Sequence, residues 1–265
     1  MLNEGFLEQC FKALEKNKAC GIDGVKVEEY GANLKCNLKD LVGRMKALQY
    51  YPQPVKRVNI PKTNGKTRPL GISTVEDKVV QMGIKRILES IFEVDFCDSS
   101  YGFRPNRSCH TALDELGKTI MTKPIKAIVD MDIEKFYDTI DHKWLMECLR
   151  QRINDLSFLR LIVRFLKAGI MEEGKYSEVD KGTVQGNVAS PVLANIYLHF
   201  VLNLRFERVA RKQLSGYARL IVYADDFVVC FESSESARQF SEMLKQRLGK
   251  FGLKAAGDKS RVIEF

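Results

Sequence analysis

The sequence predicts an α+β fold in which a ferredoxin-like antiparallel sheet is backed by helices. After residue 125 the predicted elements follow in the order strand, helices, strand, strand, helix and strand, which is the split βαβ pattern. Before residue 125 apolar residues recur mainly at helical spacing, and the period changes to that of strands only at residues 55–72. No internal repeat, low-complexity segment or clear linker divides the chain.

Composition is typical of a globular protein, and its positive charge supports an anionic partner, although many basic proteins have none. The 265 residues suffice for one large domain or two closely associated lobes. A net charge of +8 favours nucleic acid or an anionic membrane surface. Seven cysteines without a Cys-x-x-Cys pair and only three histidines argue against a zinc site or a disulfide framework. We expect reduced thiols in a cytoplasmic protein, no signal peptide, and no membrane span.

Periodicity and turn residues predict the individual elements. Apolar spacing predicts helices near both termini, and Asn64-Gly65 between two β-like runs predicts a hairpin. The predicted helices cover 3–18, 34–48, 76–92, 108–121, 143–152, 156–167, 190–211 and 234–251. The predicted strands cover 55–60, 67–72, 125–132, two short runs within 170–180, the two segments flanking Asp225-Asp226, and 261–265. A glycine-rich loop is expected at 182–186.

Tyr223-Ala224-Asp225-Asp226 lies between two apolar β-rich segments, Arg219–Val222 and Phe227–Phe231. This pattern predicts a hairpin with two carboxylates at its turn. Adjacent like charges repel each other and lose hydration in an apolar hairpin, and a divalent cation would relieve both costs. Taken alone, the Asp-Asp pair is better explained as a solvated turn.

A second acidic segment closes the predicted strand 125–132. Alternation places Asp130 and Asp132 on one face, and Asp132 would lie at a strand end on the same side of the sheet as Asp225 and Asp226. Rigidly held carboxylates are hard oxygen ligands of the kind Mg²⁺ prefers. The alternative is an acidic loop that caps the helix at 143, and we assign Asp138 and Asp141 mainly to such structural roles.

Six motifs resemble the reverse transcriptases encoded by bacterial group II introns. They are Gly21–Gly24, Ile60–Ile72, Tyr101–Ser108, Asp132–Asp138, Gly182–Leu198 and Tyr223–Asp226, in the order that the family has them. The resemblance implies a right-hand polymerase fold. Residues 1–124 would form an N-terminal extension and the fingers, with the basic hairpin at 55–72. Residues 125–265 would form mostly palm, with 170–190 contributing to the fingers and active site. By the resemblance a thumb would be missing, so that either the sequence is a fragment or a partner would supply the thumb.

The resemblance also implies site residues. Asp132 and Asp225 would bind two Mg²⁺ ions (Mn²⁺ is an alternative), with Asp226 less directly engaged. Tyr137 matches the aromatic gate that rejects a ribose 2′-hydroxyl, with core packing as the alternative. Matching positions for the incoming nucleotide are Lys62, Arg68, Gln185 and Lys259, although each lysine could be an ordinary surface residue. The family more often has Gly-Gly where this chain has Gly186-Asn187.

Arg104 and Arg107 alternate with Tyr101 and Phe103, which suits contact with a single-stranded template through charge and stacking. A second basic cluster follows further along the chain. It could bind a nucleic-acid backbone or structured RNA, or simply form a solvated helix face. Its members are Arg205, Arg208, Arg211, Lys212 and Arg219.

We therefore expect an RNA-directed DNA polymerase that adds dNTPs to a DNA or RNA primer on an RNA template. The first alternative is a maturase module that binds its own intron RNA as a splicing cofactor. The second is a defence or diversity-generating reverse transcriptase, which shares the same motifs. A bacterial cytoplasmic protein associated with the nucleoid or a ribonucleoprotein is expected, without a membrane partner and with oligomerisation left open.

Overall fold

The computed structural model describes residues 2–61, 65, 67–257 and 260–265. Its helices are α1 (Glu4–Lys12), α2 (Val27–Ala32), α3 (Leu34–Lys46), α4 (Val75–Phe92), α5 (Cys109–Thr122), α6 (Phe136–Thr139), α7 (His142–Arg150), α8 (Leu156–Leu166), α9 (Ser190–Leu198), α10 (Arg211–Gln213) and α11 (Ser234–Lys250). Two π-helical segments, His199–Asn203 and Phe206–Ala210, lie between α9 and α10. Its strands are β1 (Val55–Pro61), β2 (Thr67–Ile72), β3 (Ala127–Asp132), β4 (Ile170–Glu172), β5 (Lys175–Ser177), β6 (Ala218–Tyr223), β7 (Asp226–Phe231) and β8 (Arg261–Glu264).

The chain divides into two units of contacting residues. Unit 1 comprises Met1–Ser90 and Ile153–Ser190, and unit 2 comprises Ile91–Arg152 and Pro191–Phe265. Residues 91–124, which the motif order grouped with the N-terminal part, cluster with unit 2.

Unit 1 is built around a four-stranded sheet with the order β2-β1-β4-β5. The predicted hairpin at 55–72 is confirmed, because β1 and β2 pair antiparallel with Ile60 opposite Arg68. Strand β4 joins β1 in parallel, with Ile170 opposite Val55. The residues Lys62, Thr63, Asn64 and Lys66 at the hairpin's turn lie outside the described part of the chain.

Unit 2 contains the predicted ferredoxin-like sheet, with the order β6-β7-β3-β8 and antiparallel pairing throughout. The first strand of the split βαβ pattern, β3, lies between the third, β7, and the fourth, β8. Helix α11 packs against β3, β7 and β8, and α5 packs against β6. Val129 and Val229 are fully buried in this sheet, whereas their neighbours Asp130 and Val228 are half-buried. The alternation of apolar and polar residues thus reappears as two faces of unequal exposure.

Side-chain caps explain where several helices begin. Asn3, Asp141 and Asp155 accept hydrogen bonds from backbone N–H groups in the first turns of α1, α7 and α8. Ser108 caps α5 in a reciprocal capping box with Thr111. The predicted structural role of Asp141 is confirmed.

One predicted helix end was wrong, two short helices were not predicted, and one predicted helix is partly π-helical. Helix α1 ends at Lys12 and not near residue 18, because Leu14, which continues the apolar spacing, packs from outside the helix against the cluster of Val27, Tyr30 and Val75. The short helices α2 and α6 were not predicted. Residues 190–211 are helical, but π-helical turns begin after Leu198. The spacing of apolar residues does not reveal where an α-helix changes to a π-helix.

No helix within the described residues is long and apolar enough to cross a membrane.

Candidate active site

The acidic turn, Tyr223–Asp226, joins β6 to β7. Tyr223 and Asp226 are paired across the two strands, so Ala224 and Asp225 form a two-residue turn. Ala224 has a φ of +57°, in the left-handed region that tight hairpin turns require and that glycine usually occupies. An alanine there costs roughly 1–2 kcal/mol, so the surrounding structure must hold this turn in place.

Asp132 lies directly opposite Asp226 in the antiparallel pair of β3 and β7. Opposing residues in such a pair have Cα atoms about 4.5–5.5 Å apart and side chains on the same face. The Asp132 carbonyl also accepts a hydrogen bond of 2.8 Å from Ala256 N–H, which fixes the backbone at the end of β3. The expectation that Asp132 and the acidic turn lie at the same end of the sheet is therefore confirmed.

The acidic residues differ in exposure. Asp132 and Asp225 are half-buried, and Asp226 is exposed. Asp130 shares their face two residues before Asp132, where its carboxylate accepts a hydrogen bond of 3.3 Å from Arg261. Asp130 thus has a cationic neighbour from β8.

The donor chemistry of this strand end suits a magnesium ion. Among the described residues no group of three or more histidine, cysteine, aspartate or glutamate side chains is arranged to hold a metal. Magnesium, however, usually takes only one or two carboxylates from a protein and completes its shell with water and substrate phosphates. Asp132 and Asp226 on one face, with Asp225 adjacent in the turn, provide carboxylates of that kind.

Tyr137 lies in the short helix α6 and is only 7% exposed. Its ring meets the ring of Phe136 edge-on, with centroids 5.6 Å apart. This packing supports the alternative of a core residue, and the predicted role as a sugar gate stays a prediction.

Arg68 and Gln185 are brought together within unit 1, although 117 positions separate them in the chain. Arg68 Nε donates a hydrogen bond of 2.9 Å to Gln185 Oε1. Arg68 is exposed on β2, and Gln185 is half-buried in the glycine-rich loop. Two of the residues assigned to nucleotide binding therefore form one hydrogen-bonded pair, which we call the Arg68–Gln185 pair.

The glycine-rich loop packs closely on strand β2. Gly71 N–H donates a hydrogen bond of 2.7 Å to the Gln185 carbonyl. A Cβ atom on Gly71 would lie 2.1 Å from Val184 Cγ1, and one on Gly186 would lie 2.7 Å from the Gly71 carbonyl. Only glycine at these two positions permits the approach that sets Gln185 beside Arg68.

Sequence reasoning missed the residues that anchor this loop. Asn187 is buried and accepts a hydrogen bond of 2.8 Å from Ser73 Oγ, which in turn accepts one of 3.0 Å from Gln81. Gln81 Oε1 also accepts a bond of 2.8 Å from Val188 N–H. The asparagine that departs from the family's usual Gly-Gly therefore has a structural role, and nothing in its local sequence indicated a partner more than 100 positions away.

The two arginines predicted to contact a template are both engaged within unit 2. Arg104 donates to both carboxylate oxygens of Glu93 and to the carbonyls of Cys97 and Ser100, and its side chain is 4% exposed. For Arg104 we therefore favour a structural role over template contact, because a guanidinium so paired and buried would have to break these bonds first.

Arg107 is less enclosed than Arg104. It pairs with Asp98 at 2.9 Å and lies over the Tyr101 ring, with a side chain 23% exposed. Lys62 and Lys259, both assigned to the incoming nucleotide, lie outside the described residues.

The second basic cluster is only partly available to a partner. Arg219 forms an ion pair of 2.9 Å with Glu115, and Arg211 one of 3.2 Å with Glu207. Arg208, Arg211 and Lys212 are exposed, so a solvated helix face and a nucleic-acid contact both fit their positions.

Solved structures show the fold to which this chain belongs. Telomerase from Candida albicans in complex with a TWJ fragment of telomeric RNA matches 90% of this chain and 46% of its own, with a TM-score of 0.64 and 13% identity. Apo telomerase from Candida tropicalis, truncated from the C-terminal domain, matches 84% of this chain and 53% of its own, with a TM-score of 0.60 and 14% identity. The fold is that of a right-hand polymerase, as predicted.

The family follows from the sequence comparison. Residues 60–264 match the family described as reverse transcriptase (RNA-dependent DNA polymerase), and the chain belongs to that family. It is 41% identical over 214 residues to the group II intron-encoded protein LtrA of Lactococcus lactis subsp. cremoris, covering 77% of this chain and 35% of LtrA. It is 37% identical over 206 residues to the protein YkfC of Escherichia coli K12, covering 75% of this chain and 52% of YkfC. The predicted resemblance to group II intron-encoded reverse transcriptases is confirmed, and members of this family are generally metal-dependent.

Proposed function

We propose that this chain carries the catalytic centre of an RNA-directed DNA polymerase. The observation that carries the proposal is the strand register that sets Asp132 opposite Asp226 and beside the turn residue Asp225. The chain spans about a third to a half of the two relatives described above, so activity, substrates and partners are proposed for the centre it contains. The partners are an RNA template, a DNA or RNA primer, and dNTPs.

The reaction is nucleotidyl transfer. The primer 3′-oxygen forms a bond to the α-phosphorus of the dNTP, the bond from that phosphorus to the β-phosphate bridging oxygen breaks, and pyrophosphate leaves with that electron pair. The proton of the 3′-hydroxyl passes to solvent. Two Mg²⁺ ions, or Mn²⁺ in their place, would lower the pKa of the attacking hydroxyl and stabilise the leaving pyrophosphate.

The residues of the chain position the reactants. Asp132 and Asp225 would hold both ions, and the more exposed Asp226 would engage them less directly. The Arg68–Gln185 pair contributes a planar cation suited to bidentate phosphate contact and an amide suited to the sugar. Lys62 and Lys259 join this set by resemblance, for the triphosphate and for the departing pyrophosphate. Tyr137 would exclude a 2′-hydroxyl.

We propose residues 1–124 as the N-terminal extension and fingers and residues 125–265 as mostly palm, with 170–190 contributing to the fingers and active site. The basic hairpin β1–β2 and the loop that carries Gln185 belong to unit 1, and the three aspartates belong to unit 2.

Primer extension on an RNA template with Mg²⁺ tests the proposal. The wild type should add dNTPs, and Asp225→Asn should be inactive although its fold is unchanged. Asp130→Asn is a matched control, because it alters a carboxylate on the same sheet face that is paired with Arg261. It should retain wild-type incorporation. Equal incorporation by wild type and Asp225→Asn would contradict the assignment.

A second function, binding of the chain's own intron RNA as a splicing cofactor, is supported by the names of relatives. One, the nuclear intron maturase 1, mitochondrial, of Arabidopsis thaliana, is 34% identical over 35% of this chain. Gel-shift titration of a folded group II intron RNA tests it. Asp225→Asn should bind that RNA as tightly as the wild type, and lack of binding by both would reject this function. For either function we propose a bacterial cytoplasmic setting with nucleoid or ribonucleoprotein association, in keeping with the bacterial origin of LtrA.

A further inference from the structure

A short segment before α5 adds an extra strand-like edge to the sheet of unit 2. Val222 N–H donates a hydrogen bond of 2.7 Å to the Ser99 carbonyl, and Tyr101 N–H donates one of 2.8 Å to the Val222 carbonyl. Ser100 and Val222 form a parallel bridge. The segment Ser99–Gly102, which we call the edge segment, therefore lies along the last residues of β6 that lead into the acidic turn.

The edge segment ends in direct contact with the acidic turn. A Cβ atom on Gly102 would lie 2.4 Å from Ala224 N, 3.1 Å from Ala224 Cα and 3.2 Å from the Tyr223 carbonyl carbon. Gly102 is not among the glycines with positive φ, so its own backbone would accept alanine. Glycine is required at position 102 because the backbone of the acidic turn lies so close. The backbone of Gly102 packs directly against the backbone of the strained residue Ala224.

Asn195 holds the edge segment from the other side. This residue of α9 is buried, and its Nδ2 donates a hydrogen bond of 2.8 Å to the Gly102 carbonyl. Further along the same helical run, Asn203 Nδ2 donates one of 3.1 Å to Ser99 Oγ. Two buried amides thus fix both ends of the edge segment, and the nearer one acts on the residue that touches the turn.

We propose that Asn195 and Gly102 are positioning residues of the acidic turn. The Asn195 amide fixes the Gly102 carbonyl, and the Gly102 backbone fixes Ala224 and so the direction of the Asp225 carboxylate. This role rests on the proposed function of that carboxylate. Neither residue needs to touch a nucleotide, because each acts through the backbone of the turn.

Position matters at this turn because displacement of a reacting or ion-holding group by about 1 Å can cost about 100-fold in rate. An alanine does not by itself prefer the left-handed conformation found at Ala224, so a contact from elsewhere in the protein must stabilise it. The contact of Gly102 on Ala224 is of that kind, and α9 provides the rigid element from which it is held.

Two variants of the full chain test the role. Asn195→Ala removes the donor and leaves Gly102 free to shift, and Gly102→Ala leaves Asn195 intact but pushes a methyl group against Ala224. Tyr197→Phe is the matched control. Tyr197 also lies buried on α9 and also donates to a backbone carbonyl, that of Phe251 at 3.1 Å, which belongs neither to the edge segment nor to the turn.

Two measurements separate positioning from stability. Single-nucleotide incorporation should show kcat lowered about 10- to 100-fold in Asn195→Ala and Gly102→Ala, with KM for the dNTP changed less than about threefold. Mn²⁺ binding to the enzyme without nucleotide, followed by electron paramagnetic resonance, should weaken several-fold in both. Tyr197→Phe should match the wild type in both measurements. The folded fraction of each variant, against which rates are normalised, follows from the fluorescence of Trp144, the only tryptophan.

The outcomes distinguish the role from the proposed function. If the wild type incorporates nucleotide and Asp225→Asn does not, normal kcat and Mn²⁺ affinity in Asn195→Ala and Gly102→Ala overturn the positioning role. An equal loss in Tyr197→Phe, or failure of both variants to fold, overturns it as well by assigning the contact to stability. If the wild type incorporates nothing, the proposed function fails, and Mn²⁺ affinity alone then decides whether Asn195 and Gly102 set the turn.

Discussion

The acidic turn in unit 2 and the Arg68–Gln185 pair in unit 1 are held in different ways. The turn is fixed by backbone contacts, namely the pairing of β3, β6 and β7 and the hydrogen bonds of the edge segment. The Arg68–Gln185 pair consists of a half-buried amide and an exposed guanidinium joined by one side-chain hydrogen bond of 2.9 Å.

This difference matches the two tasks that we propose. Stabilising the charge that develops in the transition state requires groups that do not reorganise during the reaction. Side chains held by the paired backbone of a sheet meet this requirement. Holding a triphosphate requires a cation that can leave one partner and take another, and an exposed arginine with a neutral partner can do so. Substitutions in unit 2 should therefore lower turnover, and substitutions in the Arg68–Gln185 pair should mainly weaken substrate binding.

The largest expected effect is at Asp132. Asp132→Asn should lower the single-turnover rate at least about 1,000-fold, or about 4 kcal/mol, with little change in KM for the dNTP. Asp226→Asn should cost less, about 10- to 100-fold, because this exposed carboxylate is less directly engaged. Rapid-quench primer extension measures both. A larger loss for Asp226→Asn than for Asp132→Asn would reverse the assigned order.

The next largest expected effect is on the pH dependence of stability, which should run in opposite directions in the two units. Burial raises the pKa of Asp77 in unit 1 from 3.8 to about 6, although Tyr50 and Gln53 hydrogen-bond its carboxylate. Burial lowers the pKa of His199 in unit 2 from 6.5 to about 4. A raised carboxyl pKa gives stability that is present below pH 4 and lost as the pH rises through 6. A lowered histidine pKa gives stability that is present above pH 6.5 and lost as the pH falls through 4.

Thermal unfolding between pH 4 and 7 measures this opposition. Asp77→Asn should remove the loss of stability that occurs as the pH rises from 4 through 6. This loss amounts to roughly 2–3 kcal/mol for a pKa shift of this size. Hydrogen exchange read separately in the two units should show unit 1 weakening towards pH 7 and unit 2 weakening towards pH 4. Parallel pH profiles for wild type and Asp77→Asn would rule out this role of Asp77.

A smaller effect is expected for Tyr137. Tyr137→Ala should raise the incorporation of rNTPs relative to dNTPs about 10- to 100-fold, because the ring no longer fills the space that a 2′-hydroxyl would enter. Tyr137→Phe keeps the ring and should retain discrimination. If Tyr137→Ala folds and discriminates as the wild type does, Tyr137 is a core residue alone.

The smallest effect is expected for the Arg68–Gln185 pair. Arg68→Ala should raise KM for the dNTP about tenfold, or about 1.4 kcal/mol, with kcat changed little. Arg57→Ala is the matched control, since Arg57 lies on the other strand of the same hairpin and pairs with Glu172 at 3.5 Å. It should leave KM unchanged. A fall in kcat without a rise in KM for Arg68→Ala would remove the distinction between the two regions.

Much of the fold was predictable because its information is local. Val55–Ile60, Thr67–Ile72 and the segments flanking Asp225-Asp226 show strand composition and turn residues, and the structure has strands there. The order of elements after residue 125 was sufficient for the ferredoxin-like sheet. That Asp132 would share a sheet end with the acidic turn followed from this order, whereas its position directly opposite Asp226 depends on strand register.

The remaining features depend on partners distant in the sequence. Asn195 donates to a carbonyl 93 positions away, and Asn187 accepts from a serine 114 positions away. Neither asparagine has a local pattern that distinguishes it from a solvated one. Arg104, flanked by aromatic residues, suggested nucleic-acid contact, but Glu93, the residue that pairs with it, lies outside that motif. The π-helical turns after Leu198 likewise lack a periodic signal.

The alanine at position 224 has a consequence for how far the backbone of the acidic turn can move. Glycine at this position would adopt φ +57° without strain, but it would also open many other backbone conformations to the turn. Alanine has far fewer alternatives, so once the neighbouring backbone has imposed the left-handed conformation, the turn has little freedom to hinge. The chain thus carries roughly 1–2 kcal/mol of backbone strain next to Asp225, the carboxylate for which we propose an ion-holding role. Ala224→Gly should relieve this strain and make the backbone of the turn more mobile.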